Sequence, residues 1–307
     1  SDVCSSDLHL LLGRLDAERF LEGRMRLDRD AARAAIEPLA AQLGMHTEAT
    51  AQGILTIANA NMARAIRSRT IEKGHDPRDF TLVAFGGAGP LHAADVARNM
   101  GIRKVLVPPR PGLLSALGLL HADVRGDFSL TRLLVANATN IKALNDGFAE
   151  LRERGNTWLT GEAGKNAKAG FVWLMDMRYL GQNYELSLAV KDGKLDPKSL
   201  AKLIAEYHKR HHAIYGYDMP GHAVEVVNLR LVVTVERKAP THEKHKAART
   251  TVADAVIEKR KAWFPETGYV TTPVYDRDKL PVNARIRGPA IVEQMDTTTV
   301  VPPRATL

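Results

Sequence analysis

Between residues 28 and 68 the apolar positions recur at intervals of three and four, the period of a helix with one buried face. Asp28 offers an N-cap and Gly44 a C-terminal stop, which predicts a helix through Ala34, Ala35 and Leu39. A second helix is predicted from Glu48 to Ser68, with Ile54, Ala58, Met62, Ala65 and Ile66 forming its inward stripe. Leu10 to Leu15, upstream of both, is a short apolar run. Gly74 and Pro77 then close the connection, and the pattern changes. Phe80 to Phe85 is almost uniformly apolar, as a parallel strand covered on both faces requires. It stops in Gly86, Gly87, Ala88 and Gly89, after which Pro90 opens a helix that Gly101 ends. Arg103 to Val107 reads as a second strand, Pro108 to Gly112 as a rigid turn, and Leu113 to Ala122 as a further helix. Strand, helix, strand in this order predicts a βαβ unit with a parallel pair.

From Gly126 onward the grammar is different. Ile141 to Leu159 has helical spacing, whereas Phe171 to Arg178 and Tyr184 to Val190 alternate as strands around a turn at Gly181, Gln182 and Asn183. A helix from Pro197 to Tyr215 and a long strand from Val224 to Val235 are predicted next. Short strands are expected near Tyr269, at Ala290 to Glu293 and at Thr297 to Val301. The resulting division is residues 9–125 as an α/β lobe and residues 126–307 as an α+β domain with a mainly antiparallel sheet.

Composition adjusts this picture at three places. The net charge of +8 is dispersed, and its densest part, Arg237 to Arg249 with Glu258 to Lys261, reads as an exposed connector. With no recognition motif or stacking aromatics beside it, the charge does not point to nucleic acid. Cys4 is the single cysteine, which excludes an intrachain disulfide and a multi-cysteine metal site. The opening Ser1 to Leu8 differs in composition from the rest of the chain, reads as a non-native scar, and is set aside from the expected fold. No signal-peptide pattern or eighteen-residue apolar window is present, so no membrane association is expected and a cytoplasmic location is the default expectation.

The glycine cluster is the main candidate for chemistry. Glycines between a strand and a helix start let backbone approach a ligand closely and leave amides at the positive end of a helix dipole. FGGAGP is neither the dinucleotide fingerprint nor the P-loop, whose spacing and lysine it lacks. Spacing alone leaves two readings open, a nucleotide-binding turn and a turn in which glycine serves packing only.

Longer phrases bear on that choice. NANMARAIR, LVAFGGAGPLHAADVA and VLVPPRPGLLSALGLL, within Asn59 to Asp123, resemble the second ATPase lobe of hydantoinase A and 5-oxoprolinase subunits. MRYLGQNYEL, HHAIYGYDMP, VEVVNLRLVV and GPAIVEQMDTTTVVPP resemble the C-terminal domain of the same family, which also includes acetone and acetophenone carboxylase subunits. The resemblance implies an α/β lobe of the actin, sugar-kinase and ribonuclease H-like fold, followed by an α+β domain. It implies ATP with a divalent metal such as Mg as cofactor, and Gly86, Gly87, Ala88, Gly89 and Pro90 closing over the adenosine. The metal-binding and phosphate-binding turn of the first lobe is expected upstream, so this stretch is expected not to turn over ATP alone. The implied activity is ATP-dependent opening of a cyclic amide such as 5-oxoproline or a hydantoin, in company with a B-type subunit or domain. Ketone carboxylation, and a non-catalytic docking role, are the alternatives.

Other residues carry weaker signals. His92, in the first turn after the glycine cluster, is a further candidate contact for nucleotide or substrate, as are Asn61 and Arg64 on the preceding helix and Ser115 after the Pro-Gly turn. Asn59 lies on that same helix. His208, His211 and His212 have metal-compatible spacing, but Lys209 and Arg210 between them favour a solvated face and no metal site is assigned. His121 and Asp123 are only a weak ligand pair. Glu225 is expected to pair with Arg230 or to serve a partner interface, and Glu293 and Asp296 are given no catalytic role.

Overall fold

The computed structural model describes residues 3–163, 168–237 and 250–307. Helices α1 (Ser5–Leu11), α2 (Arg29–Leu43) and α3 (Thr47–Arg69) come first. They are followed by β1 (Thr81–Val83), α4 (Gly89–Met100), β2 (Lys104–Leu106) and α5 (Leu114–His121). Next are β3 (Val124–Val135), α6 (Ile141–Ala163), β4 (Ala169–Tyr179), β5 (Leu186–Ala189), α7 (Pro197–Tyr215) and β6 (Val224–Val235). Strands β7 (Val256–Phe264), β8 (Gly268–Asp276), β9 (Ala290–Gln294) and β10 (Thr297–Val301) then form a separate sheet. The elements sort into two units, one of Ser1–Leu119 with Thr241–Leu307 and one of Leu120–Pro240.

In the first unit the local signals act as expected. The Asp28 side chain accepts from the Ala31 amide at the start of α2, and Gly44 ends the helix in the left-handed region. Pro90 stands in the first turn of α4 and Gly101 caps its end. β1 and β2 pair in parallel across α4, which is the predicted βαβ unit. The expected double covering is not found: β1 and β2 form a two-stranded sheet with no further strand on either edge among the described residues, and Val83, Phe85, Val105 and Leu106 are exposed.

The last strands join this unit, not the one formed by residues 126–237. Gly13 lies so close to β7 that an added Cβ would stand 2.3 Å from the Lys261 carbonyl oxygen, and the Trp263 amide donates to Leu12 O at 2.8 Å. Leu10, Leu11, Leu12, Ile36 and Leu55 from the helices pack with Ala262, Phe264, Val274, Ile291 and Val300 from the sheet. Each fully buried side chain of this size contributes about 1.5–3 kcal/mol, so the order β10-β9-β8-β7 is held to the N-terminal helices by apolar burial. Residues 5–8, set aside on composition, form the first part of α1, and Leu8 is buried in this core.

Two further expectations change. α3 buries Ala51, Leu55, Asn59 and Ala63, one step round from the predicted stripe, leaving Met62 and Ala65 exposed. Small residues at that step permit close helix packing, and Asn59 has a buried partner there. Glu258 to Lys261 are not a connector but the middle of β7, where Arg260 pairs with Asp16, Glu258 and Glu293. Residues 238–249, most of the predicted basic connector, lie outside the described residues.

The second unit is an antiparallel sheet in the order β3-β6-β4-β5. Phe148 and Leu151 of α6 and Tyr207 of α7 are buried in one core with Met175, Met177, Leu229 and Leu231 of the strands. β3 has no counterpart among the predicted strands, because charged residues and Gly126 interrupt its apolar alternation. The predicted α7 begins with a capping box between Asp196 and Ser199 and ends at Gly216. Among the described residues no helix is long and apolar enough to cross a membrane.

Candidate functional site

The glycine turn follows directly from β1. The Ala84 amide donates to Leu106 O at 2.9 Å, continuing the strand pairing, and Gly86 then enters the left-handed region at φ 81°. Its amide is already engaged, donating to Pro111 O at 2.7 Å. The amides of Gly87 and Ala88 make no hydrogen bond among the described residues. Ala88 is the N-cap of α4 and provides no side-chain cap; in the first turn Pro90 has no N–H and the Leu91 amide turns back to Ala88 O at 3.1 Å, which leaves the Gly89 amide facing outward with those of Gly87 and Ala88. This is the partial positive charge to which an anion or polar ligand group is attracted.

Glycine in this turn is not demanded by internal packing. A Cβ added at Gly86 would meet nothing within 4 Å, one at Gly87 would lie 3.5 Å from Asp296 O, and one at Gly89 would lie 3.7 Å from the Ala84 carbonyl carbon. Gly86 is required by its backbone angle, whereas Gly87 and Gly89 have ordinary space around them. Beside the turn is a cleft of about 220 Å3, with Gly87, Ala88 and Leu91 on one side. Leu15, Phe20 and Met295 supply apolar wall, and Asp16, Arg19, Glu293 and Asp296 supply charge.

That charge is organised. Arg260 and Glu293 are paired with side chains only 15% and 13% exposed, and Arg19 also pairs with Asp16, Glu258 and Glu293. Burial raises the Asp16 carboxyl, but the amides of Glu18 and Arg19 and the nearby arginine charges outweigh it, leaving its pKa below the ordinary value. The hairpin joining β9 to β10 reaches the same place. Thr297 Oγ1 donates to Gly87 O at 2.6 Å, the Gly112 amide donates to Asp296 Oδ2 at 2.8 Å, and Gln294 Nε2 donates to Asp296 Oδ1 at 2.6 Å. Thr297 and Gln294 were not singled out from sequence. The signal that could have found them is the phrase EQMDTTT, whose three threonines are all buried.

The other candidates do not gather at this cleft. His92 is buried, and its Nδ1–H donates inward to Asn59 Oδ1 at 2.8 Å, so the first-turn histidine belongs to the interior. Asn61 and Arg64 are exposed and bond to each other at 3.2 Å. Ser115 is exposed on α5. Among the described residues no group of three or more His, Cys, Asp or Glu is placed to hold a metal ion.

In the second unit His208 and His211 of α7 turn inward, and only His212 lies on the expected solvated face. Tyr179 Oη accepts from the Met219 amide at 2.7 Å and gives its own proton to His208 Nδ1 at 2.7 Å. Buried His211 donates from Nδ1 to Tyr217 O at 2.8 Å, while exposed His212 lies 3.2 Å from Asp218. His211 and His212 thus reach the loop after α7 directly, and His208 reaches it through Tyr179. Glu225 pairs with Arg178 at 2.6 Å, not with Arg230.

The fold is shared with solved enzymes. Residues 1–128 match the hydantoinase/oxoprolinase family and residues 135–307 match the hydantoinase/oxoprolinase C-terminal domain. The chain belongs to the hydantoinase/oxoprolinase family. It is 36% identical over 298 residues to the uncharacterized protein MJ0964 of Methanocaldococcus jannaschii, covering 97% of this chain and 42% of that protein. It is 35% identical over 304 residues to the caprolactamase subunit alpha of Pseudomonas jessenii, covering 97% and 44%. The solved ATP-dependent caprolactamase of the same organism is similar with a TM-score of 0.73 at 34% identity, over 97% of this chain and 44% of that one. Nucleotide-free acetone carboxylase shares the fold, with a TM-score of 0.76 at 24% identity over 98% and 44%. The chain thus spans less than half the length of these relatives.

Proposed function

We propose that this chain contributes the nucleotide-closing lobe and C-terminal domain of an ATP-dependent hydrolase of cyclic amides. The lobe is of the actin and sugar-kinase type, and Gly86 to Pro90 form the turn that closes on the adenosine of ATP. The observation that carries this reading is the combination of unengaged amides at Gly87 and Ala88 with a turn whose glycines have room around them. Packing does not call for glycine at Gly87 or Gly89, so a ligand's close approach is the remaining physical use for their missing side chains. The helix dipole of α4 favours a polar ligand group at the turn, and the adjoining cleft gives the ligand room.

Gly87 and Ala88 would hold the nucleotide through their backbone, and Gly86 would shape the turn, its own amide being spent on Pro111. The accompanying magnesium is assigned no ligand in this chain. Bound ATP would supply a phosphoryl group for the amide oxygen, making that oxygen a leaving group and opening the carbonyl carbon to water. Kinship with a caprolactamase subunit favours a cyclic amide such as a lactam, 5-oxoproline or hydantoin as substrate, and a B-type subunit or domain as the partner that completes the site.

The test is amide-dependent ATP hydrolysis by the intact enzyme with its partner. Wild-type protein is expected to hydrolyse ATP when a cyclic amide is added, without bicarbonate, and Gly87→Leu is expected to lose most of that rate. Hydrolysis that requires bicarbonate would replace this reading with carboxylation.

A further inference from the structure

The β9–β10 hairpin carries polar residues that the proposed ligand-binding turn does not itself use. Thr297 is 6% exposed, so its hydroxyl needs a protein partner, and it finds the Gly87 carbonyl. Asp296, beside it, accepts from the Gly112 amide on the loop after β2. Gln294 braces that carboxylate and also donates to Pro109 O at 3.1 Å. Arg277 completes the brace, donating to Gln294 Oε1 at 2.5 Å and to Val107 O at 2.8 Å. The two loops held in this way are already joined to each other, since Gly86 donates to Pro111 O.

From this we infer that Thr297 and Asp296 are positioning residues: they clasp the glycine turn and the proline-rich loop into one shape, with the Gly87 and Ala88 amides presented to the ligand. The inference deepens the nucleotide reading and rests on it for the ligand, but the clasp itself stands on the bonds above. The clasp acts through direction. The Gly87 peptide has its carbonyl tied down by Thr297, and a peptide plane fixed at its carbonyl also fixes the direction of the following amide, that of Ala88. Without the tie the turn would sample several orientations, and a ligand would have to select one of them. Asp296 sets the second support, because a Cβ on Gly112 would stand 2.8 Å from its Oδ2, leaving no slack between loop and hairpin.

The experiment compares Thr297→Val, which keeps the shape and removes the hydroxyl, with Thr297→Ser, which restores it. Asp296→Asn serves as a second variant. Two readouts are taken on the intact protein: hydrogen exchange of the Gly86, Leu91 and Gly112 amides, and affinity for a fluorescent ATP analogue. The expected result is loss of protection at Gly86 and Leu91 in Thr297→Val by up to roughly tenfold, recovered in Thr297→Ser, with Asp296→Asn deprotecting Gly112. Nucleotide affinity falls by a similar factor in Thr297→Val while exchange in β7 and β8 is unchanged. Unaltered Gly86 protection in Thr297→Val overturns the clasp, whatever the nucleotide result. Altered protection in a protein that binds no nucleotide even as wild type retains the clasp and removes the nucleotide reading.

Discussion

His9 stands edge-on to His92, with ring centroids 5.0 Å apart and both residues buried in the first unit. His92 is satisfied by Asn59, whereas neither ring nitrogen of His9 has a hydrogen-bond partner among the described residues. Burial, then the charges of Arg14 and His92, hold the His9 pKa well below its ordinary value of 6.5. Burial also lowers that of His92 against the opposing pull of Asp95.

The pH dependence comes from proton counting. Below the unfolded pKa of about 6.5 the unfolded chain binds protons that the folded core refuses, so stability is complete above that pH and is lost as the pH falls through and below it. The slope is about 1.4 kcal/mol per pH unit for each histidine so held. Exchange of α4 amides between pH 7.5 and 5 measures it, and His9→Phe is expected to flatten the curve.

The ion-pair network beside the cleft gives a second expectation. Arg260→Met leaves Asp16, Glu258 and Glu293 facing Arg19 alone, and breaking a largely buried pair costs about 3–5 kcal/mol. Chemical denaturation should show this loss. Adding Glu293→Gln to Arg260→Met should recover part of it.

Much of the fold was legible because its signals are local. Asp28, Pro90, Gly101 and Gly216 act on the residues next to them, and the βαβ unit comes from apolar runs of the right length. The features that escaped depend on distant partners. The charges of Glu258 and Arg260 read as a connector until Arg19 and Asp16 are placed beside them, more than two hundred residues away in the chain. The buried face of α3 could not be found by apolar period alone, since Asn59 faces inward to meet His92. At the candidate site the glycines announce themselves, but the residues that hold them, Thr297 and Asp296, lie on a hairpin that no spacing rule connects to the turn.

Two glycine substitutions should behave oppositely. Gly87→Ala places its Cβ at an ordinary 3.5 Å from Asp296 O and should leave the melting temperature within about 1–2 °C of wild type. Gly112→Ala presses against Asp296 Oδ2, Cβ and backbone oxygen at 2.8 to 3.0 Å and should cost about 1–3 kcal/mol.

In the second unit, Tyr179→Phe removes a hydroxyl that serves both the Met219 amide and His208. Leaving that amide without its partner should cost about 1–3 kcal/mol. Exchange at Met219 should rise, with no change in the first unit.

Nucleotide affinity of the intact protein, measured by calorimetry for wild type and Gly87→Leu, bears most directly on the proposed turn. Gly87 is outside the left-handed region, a Cβ there makes only an ordinary contact, and the residue borders the open cleft, so the variant should fold normally while its bulk keeps the ligand from the backbone. The account predicts that Mg-ATP binds wild type and that Gly87→Leu weakens it at least tenfold at an unchanged melting temperature. Equal affinity in the two proteins would contradict it.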